Sequence, residues 1–143
     1  MANFPTIPER LQQIDQLTVY DHFHIGLNDD CYYLWERISG ARYDEYPTND
    51  FIKNLQIEME HQEEYRWRYK QQAIRHAATA LGTLIPEQWS TSTFVPIPPS
   101  LAKSDPGHDP RLLRILGDVR PRLADVRELV LQTCNTDGVA LIV

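Results

Sequence analysis

The sequence predicts an α/β domain, and three features carry that expectation. Two stretches rich in β-branched and aromatic residues, 93–97 and about 126–133, read as short strands. A helix opens between them near Arg111, and a longer amphipathic helix precedes both. Strand, crossover helix and strand in that order make a right-handed parallel unit. A length of 143 residues suits one core, so a single domain spanning 1–143 is expected.

Residues 1–10 contain Pro5 and Pro8 and read as an irregular arm, followed by a short helix from about Glu9 to Gln16. From Leu17, LTVYDHFHIG alternates well enough for a strand, with Val19, Asp21, Phe23 and Ile25 on one face and Tyr20, His22 and His24 on the other. Two histidines sharing a face suit a metal pair, but no third ligand stands at a recognisable spacing, so no metal site is expected. Asn28, Asp29 and Asp30 form a turn, CYYLWER reads as a strand, and Gly40 ends it. Thr48 is placed to cap a helix from about Asn49 to Glu58 that buries Phe51, Ile52 and Leu55. Tyr32, Tyr33, Trp35, Tyr43 and Tyr46 suit either a base-stacking surface or ordinary core.

The longest element is predicted over 62–85, where Tyr69, Ala73, Ile74, Ala77, Leu81 and Leu84 recur at helical spacing and Pro86 closes the run. Arg66, Arg68, Lys70 and Arg75 lie among Glu58, Glu60, Glu63 and Glu64, which reads as a solvated ion-pair surface. Thr93, Phe94, Val95 and Ile97 then form a strand that Pro96, Pro98 and Pro99 keep from continuing. The loop from Pro98 to His108 is stiffened by proline and carries Ser100, Lys103, Ser104, Asp105 and Gly107. Asp109 is placed to cap, and Pro110 to open, a helix running through Leu116.

A loop leaving the carboxyl end of a strand and feeding a helix amino-terminus is where α/β proteins hold anionic ligands. Here Ser100, Lys103, Asp109 and Arg111, with amides around Gly107 to Leu112, form the candidate phosphate or pyrophosphate site, in a pattern that matches neither a P-loop nor a dinucleotide fingerprint. The plainer alternative is a proline-stiffened connection with two solvated cations.

The run VPIPPSLAKSDPGHDPRLLRIL resembles the segment VPIPPS-x-AK-x-DP-x-x-D-x-R-x-LR of bacterial phosphoribosyltransferase-like proteins. Cys31-Tyr32-Tyr33-Leu34 with Glu36, Pro47-Thr48-Asn49, and Trp67-Arg68-Tyr69-Lys70 with Gln72-Ala73-Ile74-Arg75 resemble the same family in the same order. The resemblance implies a phosphoribosyltransferase-like parallel sheet with flanking helices, incomplete here, and an amino-terminal hood over about 17–60. It puts Pro96 to Lys103 near the pyrophosphate of phosphoribosyl pyrophosphate, with Ser100 and Lys103 as contacts. The family's apolar-Asp-Asp and Thr-Gly signature has no counterpart: Asp29-Asp30 precede the tyrosines, and Thr136-Asp137-Gly138 has the wrong order. Without those acids nothing holds Mg²⁺ against the ribose, so Mg²⁺ is expected only if phosphoribosyl pyrophosphate binds, and independent transferase activity is not expected.

Composition narrows the classes further. A net charge of −6 disfavours nucleic acid, and no apolar run is long enough for a membrane span. The start, MANFPTIPERLQQ, lacks a signal-peptide pattern, and Cys31 and Cys134 fit a reducing compartment, so a cytoplasmic location is expected. The ending GVALIV is uncharged and apolar, suiting burial, strand pairing, or cover by a protein partner or a second copy. Three readings stand: a shortened phosphoribosyltransferase-like domain that binds pyrophosphate or a nucleotide; an accessory subunit, for example of a mobile-element or phage-defence system; and an enzyme completed by another chain.

Overall fold

A computed structural model describes residues 3–136. In chain order the elements are β1 (Gln12–Gln13), β2 (Tyr32–Tyr33), α1 (Pro47–Leu55), α2 (Trp67–Leu84), β3 (Thr93–Phe94), α3 (Arg111–Asp118) and β4 (Asp125–Val126). The fold is thus mixed helix and sheet, compatible with a broad α/β class, but the core among the described residues is helical. Its buried members are Phe51 of α1, Ala73, Ile74, Ala77 and Ala78 of α2, Ile115 of α3, and Val119 just beyond it. The α2 helix is the middle element, packing on both α1 and α3. Its alanines bring the neighbouring backbones close, while Ile74 and the residues around it supply apolar area.

The parallel unit expected around 93–133 is present in short form: β3 pairs parallel with β4, with Thr93 opposite Asp125 and Phe94 opposite Val126. Thr93 Oγ1 donates to Asp125 Oδ2 at 2.7 Å, and Arg127 N reaches Phe94 O at 3.0 Å. The second strand does not run to Thr133 as expected. Pro96, Pro98 and Pro99 have no N–H to offer, so the ladder stops after Phe94 and residues beyond Arg127 find no strand partner among the described residues.

Other expectations are corrected in the amino-terminal third. The predicted helix over 9–16 is replaced by β1, antiparallel to β2, with the Tyr33 hydroxyl donating to Gln12 Oε1 at 2.8 Å. The predicted strand from Leu17 is absent. Asp15 Oδ1 accepts from the amides of Leu17 and Thr18, turning the chain into a short 3-10 segment at Val19–Asp21. A carboxylate two or three residues away competes with the strand ladder for the same amides. Thr48 caps nothing, because Pro47 begins α1 and Tyr46 is its flanking residue. Asn49 is buried and holds the preceding loop, its Nδ2 donating to the carbonyls of Ile38 and Ala41 and its Oδ1 accepting from Ile38 N.

The arm at residues 3–8 is stapled to α2. Phe4 meets Phe51 edge-on at 5.8 Å, Trp35 stacks on His76 at 5.3 Å, and His76 Nε2 donates to Pro5 O at 2.8 Å. Trp35 Nε1 donates to Thr6 O at 2.9 Å. The residues after α3 are held as tightly, because Gly82 of α2 touches the Arg120 backbone so closely that a Cβ there would collide with the Arg120 carbonyl oxygen.

Gly82→Ala is therefore expected to destabilise the fold by about 1–3 kcal/mol despite the better helix propensity of alanine. Gly117→Ala, in α3 with open space where a Cβ would sit, is expected to be neutral or stabilising by up to about 1 kcal/mol. Urea denaturation of the two variants side by side checks the contrast.

Candidate functional site

The loop between β3 and α3 is built by its own short-range bonds. Asp105 N donates to Ala102 O and His108 N to Asp105 O, closing consecutive turns. Asp105 Oδ1 accepts from Gly107 N at 2.7 Å, and His108 Nδ1 donates to Leu101 O at 2.9 Å. The carboxyl-terminal segment clips this loop from outside: Asn135 Oδ1 accepts from Ala102 N, Asn135 Nδ2 donates to Asp105 Oδ2, and Thr136 N donates to Ser100 O. The Gly107 amide, then Asn135, hold the Asp105 carboxyl below the usual aspartate value.

The four residues singled out from sequence fall into two groups. Ser100 and Lys103 are exposed, and Lys103 Nζ pairs with both oxygens of Glu128, at 2.9 and 3.0 Å. Asp109 and Arg111 belong instead to a buried joint. Asp109 makes no side-chain cap on α3, as it was expected to do. Its Oδ2 accepts from Lys70 Nζ at 2.6 Å and lies 3.0 Å from Arg111 Nε. The helix begins at Arg111 with Pro110 as its flanking residue, so Asp109 stands one residue short of the capping position.

Lys70 is the residue that sequence reasoning misplaced. Assigned to a solvated ion-pair surface, it is in fact 0% exposed. Its ammonium donates to Leu55 O at 2.8 Å, Ile57 O at 2.7 Å and Asp109, so all three of its protons are used. Arg111 Nη1 adds a bond to Leu55 O at 3.3 Å. The signal was available: Lys70 precedes Ala73, Ile74 and Ala77 by three, four and seven residues, on the helix's apolar face. Burial pushes its ammonium below the usual lysine range, Asp109 draws it back up, and Arg111 and Arg114 lower it further.

One atom of the joint is unsatisfied: Asp109 Oδ1 is buried and finds no partner among the described residues. The arrangement complements the helix ends, with cations at the last carbonyls of α1 and an anion before the first turn of α3. The buried Asp109 carboxylate, already paired with Lys70 and Arg111, stands where an anion at the start of α3 would have to be compensated. On the exposed side of the loop, with Ser100 and Lys103, the competing carboxylate is Glu128, and opening that exposed pair costs only about 0–1 kcal/mol.

Elsewhere, the aromatic residues are dispersed over separate contacts. Trp35 joins the core, Tyr32 packs on Trp89 at 5.1 Å, and Lys53 lies 3.1 Å over the Tyr43 ring. His22 and His24 are both exposed. Glu58, Glu60 and His61 have ligand atoms within 4.8 Å of one another, but Arg66 Nη2 lies 2.8 Å from His61 Nε2 and its Nε 2.7 Å from Glu64, so a cation would compete with a guanidinium. Among the described residues no helix is long and apolar enough to cross a membrane. The apolar ending GVALIV, read as a docking or pairing segment, lies outside the described residues. Comparison with protein-family models, with curated proteins and with solved structures returns no match to this chain.

Removing Asp109 leaves the Lys70 ammonium buried with only two carbonyl partners, whereas removing Lys70 leaves Asp109 paired with Arg111, so Asp109→Leu is expected to cost about 3–5 kcal/mol and Lys70→Met less. The double variant should cost clearly less than their sum, and additive costs in urea melts would refute the coupling. Asp105 gives a pH signature. Its folded value lies below the ordinary 3.8, so its contribution is complete above that value and is lost as pH falls through the folded one. The stability gap between wild type and Asp105→Asn should be constant near neutrality and close in acid; a gap independent of pH would remove Asp105 from that role.

Proposed function

We propose that this chain is a phosphoribosyltransferase-like module that binds pyrophosphate or a nucleotide on the exposed side of the 98–111 loop, without independent transferase activity. The observation that carries the reading is the parallel pairing of β3 with β4, between which the loop connects a strand's carboxyl end to the start of α3. Lys103 supplies charge once Glu128 is displaced, and Ser100 supplies a hydroxyl. Asp109 and Arg111 act as the loop's anchor, since their charges are engaged with each other and with Lys70. Within the 143 residues no acidic pair precedes a Thr-Gly turn, so the ligand would bind without a protein-held Mg²⁺.

A second reading, an accessory subunit that acts by docking, is favoured by the exposed apolar side chains Leu17, Tyr20, Phe23, Leu129 and Leu131.

Calorimetric titration separates the two. Inorganic pyrophosphate, and phosphoribosyl pyrophosphate with Mg²⁺, should each release heat, and Lys103→Ala should weaken binding about 5–10-fold, as expected for loss of one charge-assisted contact. No heat from either ligand at millimolar concentration, or binding indifferent to Lys103, overturns the anion-binding reading.

A further inference from the structure

After Arg127 N donates to Phe94 O the strand ladder ends, and residues 128–136 continue with neither helix nor strand beside the loop between β3 and α3. What they offer the loop is chiefly a set of acceptors. Glu128 places both carboxylate oxygens on Lys103 Nζ, at 2.9 and 3.0 Å. Asn135 Oδ1 accepts from Ala102 N at 2.9 Å, while its Nδ2 donates to Asp105 Oδ2 at 2.8 Å. Thr136 N donates to Ser100 O at 3.0 Å, which fixes the backbone next to Asn135. An ammonium and a backbone amide are the donor types that a phosphate oxygen takes. A carboxylate and an amide oxygen of the chain itself thus sit on groups that an anionic ligand of this loop would use.

The segment is lightly held. Leu129 is 65% exposed, Val130 58% and Leu131 55%, so little apolar burial fastens it, and Glu128, Asn135 and Thr136 are exposed as well. Exposed polar contacts of this kind open readily. The loop keeps its own turns when the segment leaves, because the bonds from Asp105 N to Ala102 O, from His108 N to Asp105 O and from Gly107 N to Asp105 Oδ1 are made within it.

We infer that residues 128–136 are an autoinhibitory strap: closed, they fill the anion site on the loop, and a ligand binds by displacing them. The inference rests on the anion-binding reading and adds its regulation, since apparent affinity is the intrinsic affinity scaled by the fraction of molecules with the strap open. A supporting role for Asn135 would have the opposite sign, because a rim that only stiffened the loop would favour binding.

Calorimetric titration of the full chain with inorganic pyrophosphate reads that sign. Asn135→Ala, which changes no charge, should tighten binding about 3–10-fold, and Glu128→Gln at least as much. Both positions are exposed, so circular dichroism of the two variants should match wild type. In wild type, saturating pyrophosphate should speed hydrogen exchange of the Thr136 amide about fivefold or more, as its bond to Ser100 is given up. Binding by Asn135→Ala that is unchanged or weaker, or a Thr136 amide that exchanges no faster with ligand, overturns the strap and leaves the anion-binding reading in place. Absence of heat from wild type and both variants at millimolar pyrophosphate overturns the two together.

Discussion

Lys70 brings an ammonium into the joint where the end of α1, the body of α2 and the start of α3 meet, and the surrounding chain is arranged to satisfy it. The carbonyl of Leu55 at the end of α1, that of Ile57 just beyond it, and one carboxylate before α3 take its three protons. Desolvating an ammonium is costly, and this set of partners offsets the cost only while the three helices keep their relative positions. The apolar contacts of Phe51, Ile74 and Ile115 would tolerate small sliding motions; the ion-pair geometry is far less forgiving. The joint therefore fixes register, whereas the apolar core supplies cohesion.

That division also explains what the loop can do. Asp109 and Arg111 hold its far end against the buried joint, and Asn135 and Thr136 hold its outer rim. Between those anchors, Ser100, Lys103 and Ser104 are the polar side chains left toward solvent. A loop held at both ends by polar contacts, and limited by proline in between, places its exposed groups at low entropic cost.

Much of the helical architecture was legible in the sequence because α2 and α3 each carry a clear apolar period bounded by proline or glycine. The parallel strand pair was legible from residue type and the end of its first strand from the prolines after Val95, whereas the second strand was drawn too long because its partner's loss of donors was not carried across to it. The amino-terminal third was misread where carboxylates captured amides: Asp15 makes a turn from a segment whose alternation suggested a strand. At the candidate site, sequence alone grouped Ser100, Lys103, Asp109 and Arg111 by proximity along the chain. It could not see that Lys70, 39 residues before Asp109, would claim the carboxylate. A charged residue on an apolar helix face is a cue to seek a buried partner, and that cue outweighs the acidic neighbours that suggested a solvated surface.

The burial of Lys70 has an analytical use. The chain has three lysines, Lys53, Lys70 and Lys103, and the two others are not sealed in the core. An amine-acylating reagent applied to the native protein should mark those two promptly, whereas Lys70 can react only during moments when α1 and α3 separate from α2. Its slow acquisition of label, followed by mass spectrometry, would time the opening of the three-helix joint without any introduced probe.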